Sequence, residues 1–319
     1  MDDRKDFYNK QLAQKKEELT VIQLKLEGAL DSVDELKLNN QAEATLQKIE
    51  ELEAKLNNLS SQTGNANRSF LALEQKLPKI DFKEQITKIK NILEDLLEYR
   101  NAIFLINDSL YMAGDLFSIE LKKILEEDTT DLKYYPIVFT VGGSLDEIGF
   151  LQGLAGYLGI GNIQSKDDYD PICNKLNSSI VNGSIIFIEI KKIDLLDNKD
   201  SFLCWLLNIF CKFLNDNLVQ TCQSKGIELV KLIILVSSDD DILEECSSLE
   251  IFCDGQVFKE NRIFPITLSQ WSEQDINLWL KKYSGLPKNQ ITAMAKSIFR
   301  SSRGGTPKLI CEALRSKLS

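Results

Sequence analysis

Apolar positions recur along this chain in a helical register first and in an alternating strand–helix register later. In residues 1–60, Leu12, Leu19, Ile22, Leu26 and Leu30 share one side of a long helical pattern. Leu46, Ile49, Leu52, Leu56 and Leu59 then recur at spacings of three and four. Stripes this thin need a facing surface. The capping residues Asp31, Ser32 and Asp34 predict a tight turn that folds the two runs into an antiparallel hairpin. One continuous helix of ~85 Å, paired in a parallel coiled coil, is the alternative. Either form is a module for contacting another protein or a second copy, or else an extension packed on its own core. Ser60 to Asn67, small and polar with one glycine, reads as a linker.

Beyond the linker, Ile86, Ile89, Ile92, Leu93, Leu96 and Leu97 predict a helix from Lys83 to about Tyr99. It runs into a short apolar strand, Ala102 to Ile106, then a polar turn, Asn107 to Asp115, then a helix carrying Leu116, Phe117, Leu121 and Leu125. Further strands are expected at Tyr135–Val141, Ser184–Ile190, Leu229–Val236 and Phe264–Leu268. Helices are expected after Gly142-Gly143 with Ser144 as N-cap, over Asp170–Val181, and from Lys199 to about Leu218. Strands alternating with helices predict a parallel α/β sheet with right-handed crossovers. Three helices close the chain, beginning near Ser269–Asp275, Lys288 and Lys308. The expected organisation is a helical module over 1–60, a linker and short helix over 61–76, an α/β domain over 77–268, and a helical lid over 269–319.

The net charge of −10 and pI near 4.9 argue against a nucleic-acid groove, which depends on neutralising phosphates. The chain contains no histidine, which excludes histidine-based triads and histidine-ligated metals. A charged start and the lack of a long uninterrupted apolar run point to a cytoplasmic protein without a membrane segment. Seven cysteines without C-x-x-C spacing fit reduced thiols, and Cys204 and Cys211 fall among apolar neighbours as core thiols would. Neither a metal nor a cofactor is expected.

A strand, a loop ending in glycine and a helix opening behind it form the layout of a phosphate-binding loop. Its chemistry is missing. In the G-x-x-x-x-G-K-[ST] pattern, Asn107 stands at the first glycine, Gly114 at the second, Asp115 at the lysine and Leu116 at the hydroxyl, with Ser109 inside the turn. A carboxylate at the lysine position repels phosphate. At the end of the third strand, Glu189 is either a relic of a magnesium site or a carboxylate paired with a lysine; Ile190, Lys191 and Lys192 follow it. Lys191 and Lys192 could replace the lost charge only by folding back over the loop. Ser237 and Ser238, after the fourth strand, are either phosphate donors or ordinary loop residues.

In this order, the region from Leu77 onward resembles the STAND branch of AAA+-like P-loop ATPases, and within it the inactive group of bacterial conflict and signalling systems. Leu77 to Gln85 is similar to the segment preceding the family's first strand, and residues 103–114 to an eroded Walker A site. Ser184 to Leu196 is similar to the Walker B strand, and Lys231 to Ser238 to the sensor-1 strand. Gly304-Gly305-Thr306-Pro307 looks like the lid signature, marking Gly305 and Pro307. The resemblance implies a non-catalytic scaffold or sensor-adaptor of a bacterial signalling or anti-phage system. Its protein partners would be reached through residues 1–60 and the C-terminal edge of the sheet, with self-association through the N-terminal helices. The alternative is a lysine-less switch that binds ATP or GTP with little or no hydrolysis and hinges at Gly304–Pro307.

Overall fold

The computed structural model describes residues 73–95, 101–129, 131–246 and 250–318, together with Lys15, Thr45 and Lys48. The chain divides into two compact units, residues 1–75 with Ser319, and residues 76–318. In the first, Lys15, Thr45 and Lys48 are helical, and Thr45 is buried. The N-terminal leucine stripes, the expected turn at Asp31–Asp34 and the Ser60–Asn67 linker lie outside the described residues.

The second unit is built on five parallel strands in the order β2-β3-β4-β1-β5. They are β1 Asn101–Ile106, β2 Leu132–Val138, β3 Ser184–Lys191, β4 Val230–Ser237 and β5 Ile263–Ile266. The helices before and between them are α1 Lys83–Asp95, α2 Gly114–Asp128, α3 Glu147–Leu158, α4 Asp170–Ser178, α5 Lys199–Trp205, α6 Lys212–Lys225 and the short α7 Ile242–Glu245. β1, β3 and β4 are almost wholly apolar and buried, as strands covered on both faces must be. In register, Ile103 of β1 stands between Ile234 of β4 and Ile263 of β5.

Three local expectations are corrected. β2 begins and ends three residues earlier than the apolar run Tyr135–Val141 suggests. As the sheet edge it is only half-buried, so its polar start, Leu132-Lys133-Tyr134, carries the pairing. Ile185 N–H donates to Asp131 O and Phe139 N–H to Lys191 O, so the odd-numbered residues bond β3. Pro136 therefore faces outward, where its missing N–H breaks no ladder bond. Helix α3 is capped by Asp146, not Ser144: Asp146 Oδ1 accepts the Gly149 N–H at 3.0 Å, and Ser144 Oγ donates to the same oxygen at 2.6 Å. The Ser144 carbonyl lies only 2.1 Å from where a Gly149 Cβ would be, so the chain before the helix passes too close for any side chain there. Finally, the helix from Lys199 does not stop near Leu218. It continues through a π-type turn, Leu206–Cys211, to Lys225. By length and composition this helix could cross a membrane, but Phe202, Leu203, Leu206, Phe210 and Leu214 are buried in the core beside Phe150.

The C-terminal helices are α8 Glu273–Tyr283, α9 Lys288–Ser301 and α10 Pro307–Leu318. A capping box between Ser272 and Asp275 starts α8. They are pinned to the segment that precedes α1. Trp271 Nε1 donates to Asp81 O at 3.0 Å and Trp279 Nε1 to Lys76 O at 2.8 Å. Phe82 meets Phe117 and Trp271 edge-on at 5.5 and 5.7 Å. All seven cysteines are free thiols; Cys204 is half-buried and the others are buried, with burial pushing the Cys173 thiol up to about 12.

Candidate functional site

In an open parallel sheet the crevice opens at the C-terminal strand ends where neighbouring strands send their chains in opposite directions. Here that place lies between β1 and β4. The chain leaves β1 toward β2 at one edge, and leaves β4 across β1 toward β5 at the other. Ile106 and Ser237 stand side by side there, and Lys191 stands beside Ser237 on β3.

The loop after β1 turns its amides on itself. Tyr111 and Met112 N–H both donate to Asp108 O, and Gly114 N–H donates to Ser109 O at 2.8 Å. Ser109 N–H crosses to Ser238 O at 2.8 Å, while Ser238 N–H returns to Ile106 O at 3.0 Å. Asn107 Nδ2 donates to Asp241 Oδ1 at 2.7 Å. The left-handed residues are Asp108 and Ala113, not Gly114. Gly114 is needed for another reason: a Cβ there would sit 2.1 Å from Ser109 Oγ. A phosphate cradle needs converging free amides and a cation. Here the amides of Ser109, Tyr111, Met112 and Gly114 are spent on carbonyls and no lysine stands in the loop, so it does not fit the phosphates of the nucleotide that the fold implies.

The charges around the crevice are paired within the chain. Asp115, at the position of the cradle's lysine, extends from the first turn of α2 and is 78% exposed. Lys191 reaches it from the end of β3, Nζ to Oδ1, at 2.7 Å, and lies 3.2 Å from Glu189 Oε1. Glu189 is 1% exposed, and both its oxygens are taken: Ser118 Oγ donates to Oε1 and the Tyr134 hydroxyl to Oε2. Burial and the Glu189 carboxylate push the Tyr134 hydroxyl well above the usual phenol range. Burial pulls the Lys191 ammonium down, but Asp115 and Glu189 more than offset it and hold it above the ordinary lysine value. Glu189 is thus a carboxylate enclosed by three groups of the same chain, Ser118, Tyr134 and Lys191.

The remaining sequence-selected residues divide. Asn107, Ser109, Gly114, Asp115, Glu189 and Ser237 converge at the ends of β1, β3 and β4. Ser237 is buried, with its hydroxyl 3.5 Å from Ile190 O. Pro307 opens α10, whose next amide, Lys308 N–H, donates to Tyr111 O at 3.1 Å, with Lys308 Nζ 5.4 Å from the Tyr111 ring centre. Gly305 turns away from the crevice: its carbonyl accepts the Trp271 N–H at 2.9 Å, its φ is +110°, and a Cβ there would lie 2.3 Å from Trp271 O. Ser118 and Tyr134 were not foreseen. Ser118 stands three residues after Asp115 on α2, a spacing that puts both on one helix face; nothing in the sequence marks Tyr134. Among the described residues, no cluster of histidine, cysteine or carboxylate side chains could hold a metal ion.

A parallel five-stranded sheet flanked by helices, with its loop at this switch point, defines a P-loop NTPase-like α/β domain whose phosphate loop has eroded. Residues 77–236 match the inactive STAND family, half of the chain, and the chain belongs to that family. Residues 3–59 match Effector-associated domain 9. Among solved structures, Cdc6p from Pyrobaculum aerophilum is similar at 12% identity and a TM-score of 0.45, over 73% of this chain and 62% of that one. The Aeropyrum pernix ORC1 protein, in complex with DNA, gives 14% identity and 0.44, over 73% and 58%. The chain therefore spans about three-fifths of the length of these relatives. No curated protein matches the chain.

Proposed function

We propose that this chain is a non-catalytic signalling component that works by binding other proteins, with residues 1–60 as its coupling module and residues 77–268 as a rigid platform. The setting we propose is a bacterial signalling or anti-phage system, on the strength of the family and of the effector-associated match. The observation that carries the non-catalytic reading is the closed set Asp115, Lys191 and Glu189. Lys191 neutralises carboxylates of the same chain, and four loop amides donate to backbone carbonyls, three of them within the loop and one to Ser238. An incoming phosphate would have to displace the pair and then face Asp115. The eroded positions Asn107, Ser109, Gly114, Asp115, Glu189, Ser237, Gly305 and Pro307 serve, in this reading, to hold the platform in one shape.

The test is calorimetric titration with ATP and GTP in the presence of Mg²⁺. No heat at millimolar nucleotide is expected. Binding tighter than ~100 μM, about −5.5 kcal/mol, and lost in Gly114→Glu, would overturn the reading in favour of a lysine-less switch. Removing residues 1–60 should abolish capture of a partner while the remaining domain melts at an unchanged temperature. A collapse of the melt would show that the segment belongs to the core.

A further inference from the structure

On the far side of α2 from the strand ends, a groove of about 670 Å³ runs between two helix faces. One wall is a single stripe of α8, Asp275, Leu278, Trp279, Lys282 and Tyr283, at the spacing of adjacent helical turns. The other is the stripe Glu120, Lys123 and Ile124 of α2. Pro78, Ile80 and Phe82 form the floor. Two helix faces flanking an apolar floor have the shape that receives a third helix. The walls keep apolar surface in water: Leu278 is 54% exposed, although nearby Trp279 is buried.

The rim carries a charge opposite to that of the chain. Lys79, Lys83, Lys123 and Lys282 line it against Asp81, Glu120 and Asp275, an excess of one positive charge in a protein of net charge −10. Lys79 and Lys282 lie over the Tyr283 ring, 6.0 and 5.1 Å from its centre. Among the described residues, only Lys123 of the four has a carboxylate partner, Glu127 at 3.4 Å. Two of the three acids in the lining are engaged by backbone amides. Asp81 accepts the Lys83 N–H at 3.2 Å, and Asp275 accepts the Ser272 N–H at 2.7 Å in the capping box. The groove thus offers unpaired ammonium groups flanking an apolar floor.

We propose that this groove is a docking site for an acidic amphipathic helix of a partner protein, its apolar stripe on Leu278, Ile124 and Phe82 and its carboxylates on Lys79, Lys83 and Lys282. The proposal rests on the reading of the chain as a protein-binding platform, but its test does not touch nucleotide. The probe is a library of short displayed helices, random at their surface positions, selected against the full chain. Enrichment of helices bearing an apolar stripe flanked by Glu and Asp is expected. Their synthetic versions should lose at least about tenfold in affinity on Leu278→Asp and on the double change Lys79→Glu with Lys282→Glu. Affinity should also fall with added salt. Enrichment of basic helices, of no helices, or of helices that bind both variants equally would overturn it. Concentration-dependent self-association abolished by Leu278→Asp would also overturn it, by making a second copy the occupant. The variants alter exposed side chains, so an unchanged melting temperature serves as the folding control. Nucleotide binding together with helix docking would sink the non-catalytic reading and leave the groove standing.

Discussion

The crevice at the strand ends and the lysine-rimmed groove sit on opposite sides of α2 and treat charge in opposite ways. In the crevice the central charges meet partners from their own chain, Lys191 with Asp115 and Glu189, and Glu189 with Ser118 and Tyr134, while Asn107 Oδ1 is buried there without a partner. In the groove, Lys79, Lys83 and Lys282 have no such carboxylate among the described residues, and Leu278 faces water. A surface whose groups are satisfied internally contributes to stability and has little left for a ligand. A surface with unsatisfied groups contributes little to stability and has its interactions available. The place where this fold would hold its ligand is therefore the closed one.

That contrast is most exposed at Glu189. Glu189→Ala should cost about 3–5 kcal/mol in chemical denaturation, because Lys191 loses its buried partner and two hydroxyls lose their acceptor. A cost below about 1 kcal/mol would mean that the crevice is not held by this carboxylate. Next is Gly305→Ala, which forces a Cβ toward Trp271 O at positive φ and should cost about 2–4 kcal/mol. Gly114→Ala should cost about 1–3 kcal/mol. Since the clash is with Ser109 Oγ and Cβ, Ser109→Gly in the same chain should return most of it; simple additivity would show that the close approach is not the cause.

Alkaline pH tests the same network. The folded pKa values of Lys191 and Tyr134 both lie above their unfolded ones, so in the alkaline range the folded chain holds protons that the unfolded chain has lost. Their stabilisation is complete below about pH 10 and is lost as pH rises through the folded values. Denaturation midpoints measured between pH 8 and 11 should fall at the alkaline end, less steeply in Lys191→Met and in Tyr134→Phe. The smallest effect belongs to the groove: Leu278→Asp should change stability by no more than about 0.5 kcal/mol. A loss comparable to that at Gly114 would erase the distinction between the two surfaces.

The central strands were legible because strands buried on both faces are written as unbroken apolar runs, as in Ile185 to Ile190 and Leu232 to Val236. The edge strand was misplaced for the converse reason: its register follows from pairing with β3, and Leu132-Lys133-Tyr134 carries no apolar signal. The erosion of the loop was readable at Asn107 and Asp115, since the missing lysine is a local fact. What replaced it was legible in part: a lysine paired with Glu189 was one of the two sequence readings and Lys191 now fills it, whereas Ser118 and Tyr134 reach Glu189 only after three strands and two crossovers bring them together. The capping of α3 was missed by two residues, with Ser144 and Asp146 both plausible until the Gly149 amide chose between them.

The Lys191–Asp115 pair also fixes how the crevice responds to a change of charge. Asp115→Lys alone would set an ammonium against the ammonium of Lys191, while Lys191→Asp alone would gather three carboxylates around one point. Either intermediate is worse than the present arrangement. A charge reversal at one end of the pair therefore unbalances the crevice unless the other end changes with it.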